Sequence, residues 1–342
     1  MNIVRKCATH ATKLERWLGV ETVNQLSMAM RDFYWPIPIA NVPGDVFAYK
    51  GDFFGSIRGG AGFASLSDLI AESTAGKQRV FFFQKAGATG VVGVTNSLWG
   101  LGNQPAAGAN ASAAPGGNAP TDATTGAVLL NNVSPDTRHI VSATATASVA
   151  GNSLLLYDRI FQVNKTMASA ATEAVTGVPT RYQSTTATDA DYVGGNFLFV
   201  EVGGTALAAT AHNWTVCLYT DQAGAASTLP SLTGNSGAIV RRLDHPIQQW
   251  FAPLETGDVG IRTLTQMQSS ASVATGVINF VIGHPLCWMP CPIVNIMTLF
   301  DYIGTAFNLA RIFDDAALAL LEVIKPATGA TTYNVTVTSI SG

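Results

Sequence analysis

Charge is what this sequence has least of. Asp, Glu, Lys and Arg make up 12% of its 342 residues, about half the roughly 25% of an ordinary soluble domain. Ala, Thr, Gly and Ser stand where charges usually stand. A soluble monomer stays dispersed through a mixed charged surface, so much of this surface is expected to be covered by neighbouring subunits. A weakly charged secreted β-protein is the other class that tolerates such a composition. The net charge of −3 offers no general attraction to nucleic acid or anionic membranes. No sequence-specific nucleic-acid binding is therefore expected, and Arg241-Arg242 reads as a salt-bridging or interface pair. Four cysteines, Cys7, Cys217, Cys287 and Cys291, are too few for a disulfide scaffold, so the fold must stand on packing. No apolar run approaches the roughly eighteen residues of a membrane helix. The basic start lacks an apolar core followed by a small-residue cleavage site, so no secretory leader is expected.

Catalytic signatures are equally scarce. Gly55-Ser-Ile-Arg-Gly-Gly-Ala-Gly62 lacks the Gly-Lys-Ser/Thr ending of a phosphate loop. No Gly-x-Ser-x-Gly elbow occurs. His284, Cys287 and Cys291 could share a zinc ion by type, but no fourth ligand stands nearby. They read instead as buried groups in a proline-rich turn. Asp314-Asp315 with Glu322, and Asp189 with Asp191, lack the companion oxygens of a calcium loop or a catalytic pair. No catalytic residue, metal or cofactor is expected.

What is present is β-structure. From about Val133 to Gly342, short apolar and β-branched segments alternate with Gly, Asn, Asp and Pro turns. Tyr333-Asn-Val-Thr-Val-Thr338 places Tyr, Val, Val on one face and Asn, Thr, Thr on the other, the period-two pattern of a half-buried strand. Leu318–Ile324 reads as a buried strand in preference to a capped helix. His284–Pro292, with three prolines, is expected to interrupt the strands. The fold class expected is mainly β, a jelly-roll-like β-sandwich with a small N-terminal α+β region and a helical N-terminal arm.

The expected organisation has three parts. Residues 1–101 hold the arm and the α+β region, where Ser65 caps a short helix and Arg79–Gln84 is a strand. Residues 102–126 contain no aromatic and one charge, Asp122. Their small side chains bury little area, so they read as a linker or long surface loop, held by neighbouring subunits if ordered. Residues 127–342 form the β-domain. In the arm, Val4, Cys7, Ala8, Ala11, Leu14 and Leu18 follow helical spacing until Gly19 breaks it. A second short helix from about Glu21 to Arg31 has Val23, Leu26 and Met30 as its apolar edge, and Tyr34 and Trp35 precede a proline. Short helices need something to pack against. The candidate interface residues are thus Val4, Cys7, Ala11, Leu14, Leu18, Leu26, Met30, Tyr34 and Trp35; a cap on the chain's own sandwich is the other reading.

Four phrases, Val133-Ser-Pro-Asp-Thr-Arg-His139, Ser153-Leu-Leu-Leu-Tyr-Asp-Arg159, Thr180-Arg-Tyr182 and Ile312-Phe-Asp-Asp-Ala-Ala-Leu-Ala-Leu-Leu321, resemble a loose group of virion structural proteins from tailed bacteriophages. The likeness runs from about Ser65 to Thr338. It implies a β-rich particle component, located in the virion after assembly in the host cytoplasm, with no catalytic residues to carry over. Implied partners are copies of itself and other virion proteins, as a homo-oligomer, with no membrane. The common phage major-capsid fold needs a long spine helix, and no helical pattern here exceeds about fifteen residues. A capsid decoration, cement or minor shell protein is expected, with a tail, neck or baseplate component as the alternative. A carbohydrate- or receptor-binding module is a third reading, for which Trp214, Trp250 and Trp288 are the candidate side chains.

Overall fold

The computed structural model describes residue 63 and residues 65–186, 191–305, 309–324 and 331–342. Strand accounts for 41% and helix for 5%, so the chain is mainly β, as the alternation predicts. The nine candidate interface residues of the arm lie outside the described residues.

One sheet runs in the order β14 (Thr298–Asp301), β4 (Arg138–Ala147), β17 (Thr332–Ser341), β1 (Gln78–Ala86) and β3 (Asn103–Gln104), with β15 (Arg311–Ile312) also on β4. A second runs β2 (Thr95–Ser97), β16 (Leu318–Val323), β5 (Asn152–Thr166), β13 (Val277–Cys291) and β7 (Phe197–Val202). A smaller third has β10 (Ala226–Thr228), β9 (Leu218–Asp221), β12 (Ile261–Met267) and β6 (Glu173–Ala174), and β11 (Leu232–Thr233) pairs with β8 (Asn213–Trp214). All these pairings are antiparallel.

The long strands β5 and β13 carry two cores end to end. At fifteen residues each they run roughly 50 Å at the usual rise per strand residue. Leu154 and Leu156 of β5, Met289 of β13, and Leu318 and Leu320 of β16 face the first sheet. There Phe81, Phe83, Ala143, Ala145, Val335 and Val337 complete one core. The other halves of the long strands turn Phe161, Val163, Phe280 and Ile282 into a second core with Leu198 and Val200 of β7 and Ile261 and Leu264 of β12. Each Val, Leu, Ile, Phe or Met side chain among them, fully buried, contributes about 1.5–3 kcal/mol.

The second sheet curls back on itself. Ser97 N donates to Arg241 O, and Leu243 N donates to Thr95 O, at 2.8 and 2.9 Å. On the far edge, Val202 N donates to Arg242 O and Asp244 N to Val200 O, both at 2.8 Å. The Arg241–Asp244 segment therefore bonds to β2 on one side and to β7 on the other. The face of β5 opposite the first core points Tyr157 and Arg159 into the curl. Tyr157 meets Phe197 and Phe199 edge-on at 5.9 and 5.6 Å, and Phe197 meets Trp250 at 5.1 Å.

Three local expectations change in the fold. Arg79–Gln84, assigned to a separate N-terminal region, lies within β1, which pairs along its whole length with β17 from Gln78↔Ile340 to Ala86↔Thr332. Alternation explains this: Phe81 and Phe83 belong to the same core as Val335 and Val337. His284–Pro292 does not stop a strand, since β13 continues through Pro285 and Pro290. β7 pairs with β13 only from Ile278 to Gly283, so both prolines sit where β5 is the one strand neighbour among the described residues. The register with β5 shifts just after Pro285, between Pro285 and Cys287.

The third change is in what holds residues 102–126, which form a mostly irregular, solvent-facing segment as expected. They are laid along β5 by Asn118 N to Gln162 O and Gln162 N to Asn118 O, both 2.8 Å, and by Asn164 N to Ser112 O at 2.9 Å. The chain's own strand holds this segment, and its small residues have a use. Gly108 lies flat on the Trp99 indole, where a Cβ would come within 2.2 Å of the ring, and Gly126, at φ +106°, abuts the Cα of Gly108. Ser65 does cap the helix Leu66–Glu72 (α1), accepting from Asp68 N at 3.1 Å.

Candidate functional site

Asp158-Arg159 interrupts the strongest apolar run of the sequence with adjacent opposite charges. Neighbouring strand residues point to opposite faces, so the two side chains find different partners. Arg159 turns into the curl. Its Nη2 lies 2.6 Å from Glu201 Oε1 and its Nη1 3.3 Å from Oε2, while Nε donates to Gln162 Oε1 at 2.7 Å and Nη1 to the Tyr157 hydroxyl at 3.2 Å. The guanidinium also lies 5.0 Å from the Trp99 ring centre, a cation–π contact. Burial works against both charges, but each outweighs it for the other: Arg159 is raised, and Glu201 is held below its usual range.

Asp158 faces the other way and takes Arg181. Nε and Nη2 of Arg181 donate to the two carboxylate oxygens, both at 2.8 Å. The amide of Ala317 adds a third donor at 2.9 Å. Arg181 also donates to Pro120 O at 3.0 Å and to Asp315 at 3.4 Å. Burial pushes the Asp158 carboxyl up while Arg181 and the Ala317 amide pull it back. Arg138 lies 3.8 Å from Asp314 and over the Phe81 ring at 5.4 Å. The four phrases that carry the phage resemblance thus meet in space: Arg138 with Asp314, Asp158 with Arg181, and Arg181 with Asp315.

The other candidates from the sequence lie apart. His284 Nδ1 donates to Asn196 Oδ1 at 2.7 Å, and the ring stacks on Tyr182 with ring centres 4.0 Å apart. Cys287 and Cys291 are buried in the first core, where burial pushes the Cys291 thiol up to about 11. No group of three metal-ligating side chains occurs among the described residues. Glu322 is fully buried on β16 and accepts from the Tyr333 hydroxyl at 2.6 Å and from Asn96 and Ala88 N at 3.2 Å; burial raises it. Asp191 accepts from Tyr182 N at 3.0 Å, and Asp189 lies outside the described residues. Trp214, Trp250 and Trp288 are all buried, so none presents a ring to a sugar.

One histidine–carboxylate pair is assembled. His212 Nε2 lies 2.9 Å from Asp244 Oδ2, which also accepts from the Trp214 indole at 2.8 Å. His212 Nδ1 is engaged by Thr210 O at 3.1 Å. Both ring nitrogens are occupied, so the pair ties a turn together and leaves no lone pair aimed at a substrate.

The surface offers what the interior does not. From Pro292 to Phe300 the chain carries no charged residue. Ile293, Val294, Ile296, Met297 and Leu299, followed by Ile303, are 43–60% exposed. This lip runs along β14, the last strand of the first sheet. Val80 and Phe82 of β1 are also exposed, on the sheet face opposite the core. Sequence reading missed both the charge network and the lip. Their signals were present: an Asp-Arg pair inside an apolar run, and an uncharged apolar stretch after a proline cluster.

Comparison with protein-family models, with curated proteins and with solved structures finds no match to this chain.

Proposed function

We propose that this chain is a non-catalytic structural protein of a virus particle, a capsid-associated decoration, cement or minor shell protein that binds neighbouring subunits. One observation carries the reading. The chain has 19 Lys and Arg and 22 Asp and Glu, and ten of these are buried among the described residues. The few charges available are thus drawn further into the interior, while large aliphatic side chains stay outside. A lone soluble domain does the reverse. The phage-like phrases agree with this reading, since the charges they contain fasten the strands of one rigid β-body.

In this proposal the two large sheets facing across the first core form a jelly-roll-like sandwich. Such a body tolerates internal pressure because its stability rests on two close-packed cores between strands. The test is the copy number and position of the chain in purified particles, by quantitative mass spectrometry and tag labelling. On the order of hundreds of copies on the shell, matching a capsid symmetry, is the expected result. A few copies at one vertex would move the protein to the neck or tail. Absence from particles would sink the reading altogether.

A further inference from the structure

We infer that β14 and the lip before it form a homodimer interface, in which two copies of this chain pair edge to edge. The inference rests on the assembly reading above and names its surface. An edge strand presents backbone N–H and C=O groups that seek another strand, and natural proteins blunt such edges with charge, proline or cover. The other edges of the two large sheets are blunted. β3, at the opposite end of the same sheet, has two residues, Asn103 and Gln104, and the edges of the second sheet are both bonded to Arg241–Asp244. Among the described residues, β14 has none of these devices at Thr298, Leu299 or Phe300. The preceding turn is anchored by Asn295 N to Ala147 O at 2.8 Å, which holds the lip beside the strand.

The occupant follows from charge and area. A charged partner would strand its charges against an uncharged lip, whereas a second copy brings the same uncharged surface and satisfies it by two-fold symmetry. The six exposed aliphatic residues offer on the order of 600 Å², and the strand backbone adds to this, near the roughly 800 Å² per partner of a standard interface.

Register narrows it further. Opposite residues in an antiparallel pair share a face. Leu299 is opposite Thr144 of β4 and exposed. A two-fold axis at Leu299 sets leucine against leucine on that face, and sets Asp301 against Met297 instead of against another carboxylate. Centring on Phe300 would place Leu299 against Asp301.

The experiment uses the full chain in a Cys7→Ser background. Light scattering after size exclusion should report a dimer. Leu299→Asp should give a monomer with an unchanged far-ultraviolet circular dichroism spectrum, weakening association by at least tenfold. Leu299→Cys should form a disulfide-linked dimer on mild oxidation, reversed by reductant, because directly opposed strand residues lie within disulfide reach. A monomeric parent overturns the inference. So does a dimer that Leu299→Asp leaves intact and Leu299→Cys fails to cross-link. The two readings separate in particles. Incorporation that ignores Leu299→Asp sinks the interface alone, and a Leu299-dependent dimer absent from particles sinks the assembly reading alone.

Discussion

Arg181 grips Asp158 with two parallel hydrogen bonds of 2.8 Å, in a site where both side chains are closed to solvent. The strand bearing Asp158 and the loop bearing Arg181 are tied at the point where β5 passes from one core to the other. Such a pair adds little net stability over an apolar substitute, but removing one partner leaves a buried charge with no counterion.

Arg181→Met should therefore destabilise the fold by about 3–5 kcal/mol, measured by urea denaturation at pH 7. Arg181→Lys should recover only part of this, since a lysine cannot reproduce the two-pronged geometry. A loss below about 1 kcal/mol for Arg181→Met would show that the site relaxes or admits solvent.

Acid should destabilise the chain before its carboxylates titrate. Burial lowers His139 and His245 to about 4 and His284 to about 3 from an ordinary 6.5. Between pH 6.5 and 4 the unfolded chain binds protons at these positions that the folded chain does not, so stability falls as pH falls through that window. His212 works in the opposite sense. Burial acts to lower it, but Asp244 outweighs burial and raises it, so its contribution is present below pH 6.5 and lost as pH rises through the folded value. Urea midpoints between pH 7 and pH 4.5 should decline, and His212→Asn should steepen the decline. A flat profile would contradict the neutral state of the three buried rings.

Lys85 staples the start of the 102–126 segment. Its ammonium donates to Leu101 O, Pro105 O and Ala106 O at 3.0, 2.5 and 3.2 Å, and burial lowers it to about 8. Lys85→Met should leave three carbonyls without their donor and cost about 1–3 kcal/mol. Hydrogen exchange should rise at the amides of residues 101–109 and stay unchanged in β5 and β13. Equal acceleration in both would mean that the segment and the strands open as one unit.

Gly108→Val should loosen the same segment from the other side, because its side chain must displace the Trp99 indole. Overpacking of this kind costs about 1–3 kcal/mol, and the Trp99 indole N–H, which donates to Ala109 O at 2.9 Å, should lose protection in the indole NMR spectrum. An unshifted indole resonance would count against the close approach.

The sequence by itself determined the local elements whose cause is local. Period-two alternation placed β17, the apolar run placed β5 and β16, and Ser65 marked the start of α1, because side-chain alternation and capping act between near neighbours in the chain. It also determined the shortage of charge on which the assembly reading rests. Only the tertiary structure decided which strands share a sheet. That put β1 beside β17, carried β13 through its prolines, and turned a small-residue linker into a strap along β5. Those outcomes depend on what lies across from each residue. A proline is tolerated where a strand has one neighbour, and glycines matter where a ring sits against the backbone. The charge network left only a local signal, adjacent Asp158 and Arg159 inside an apolar run; Arg181 and Glu201 became their partners only when folding closed β7 and the loop before it over opposite faces of one strand.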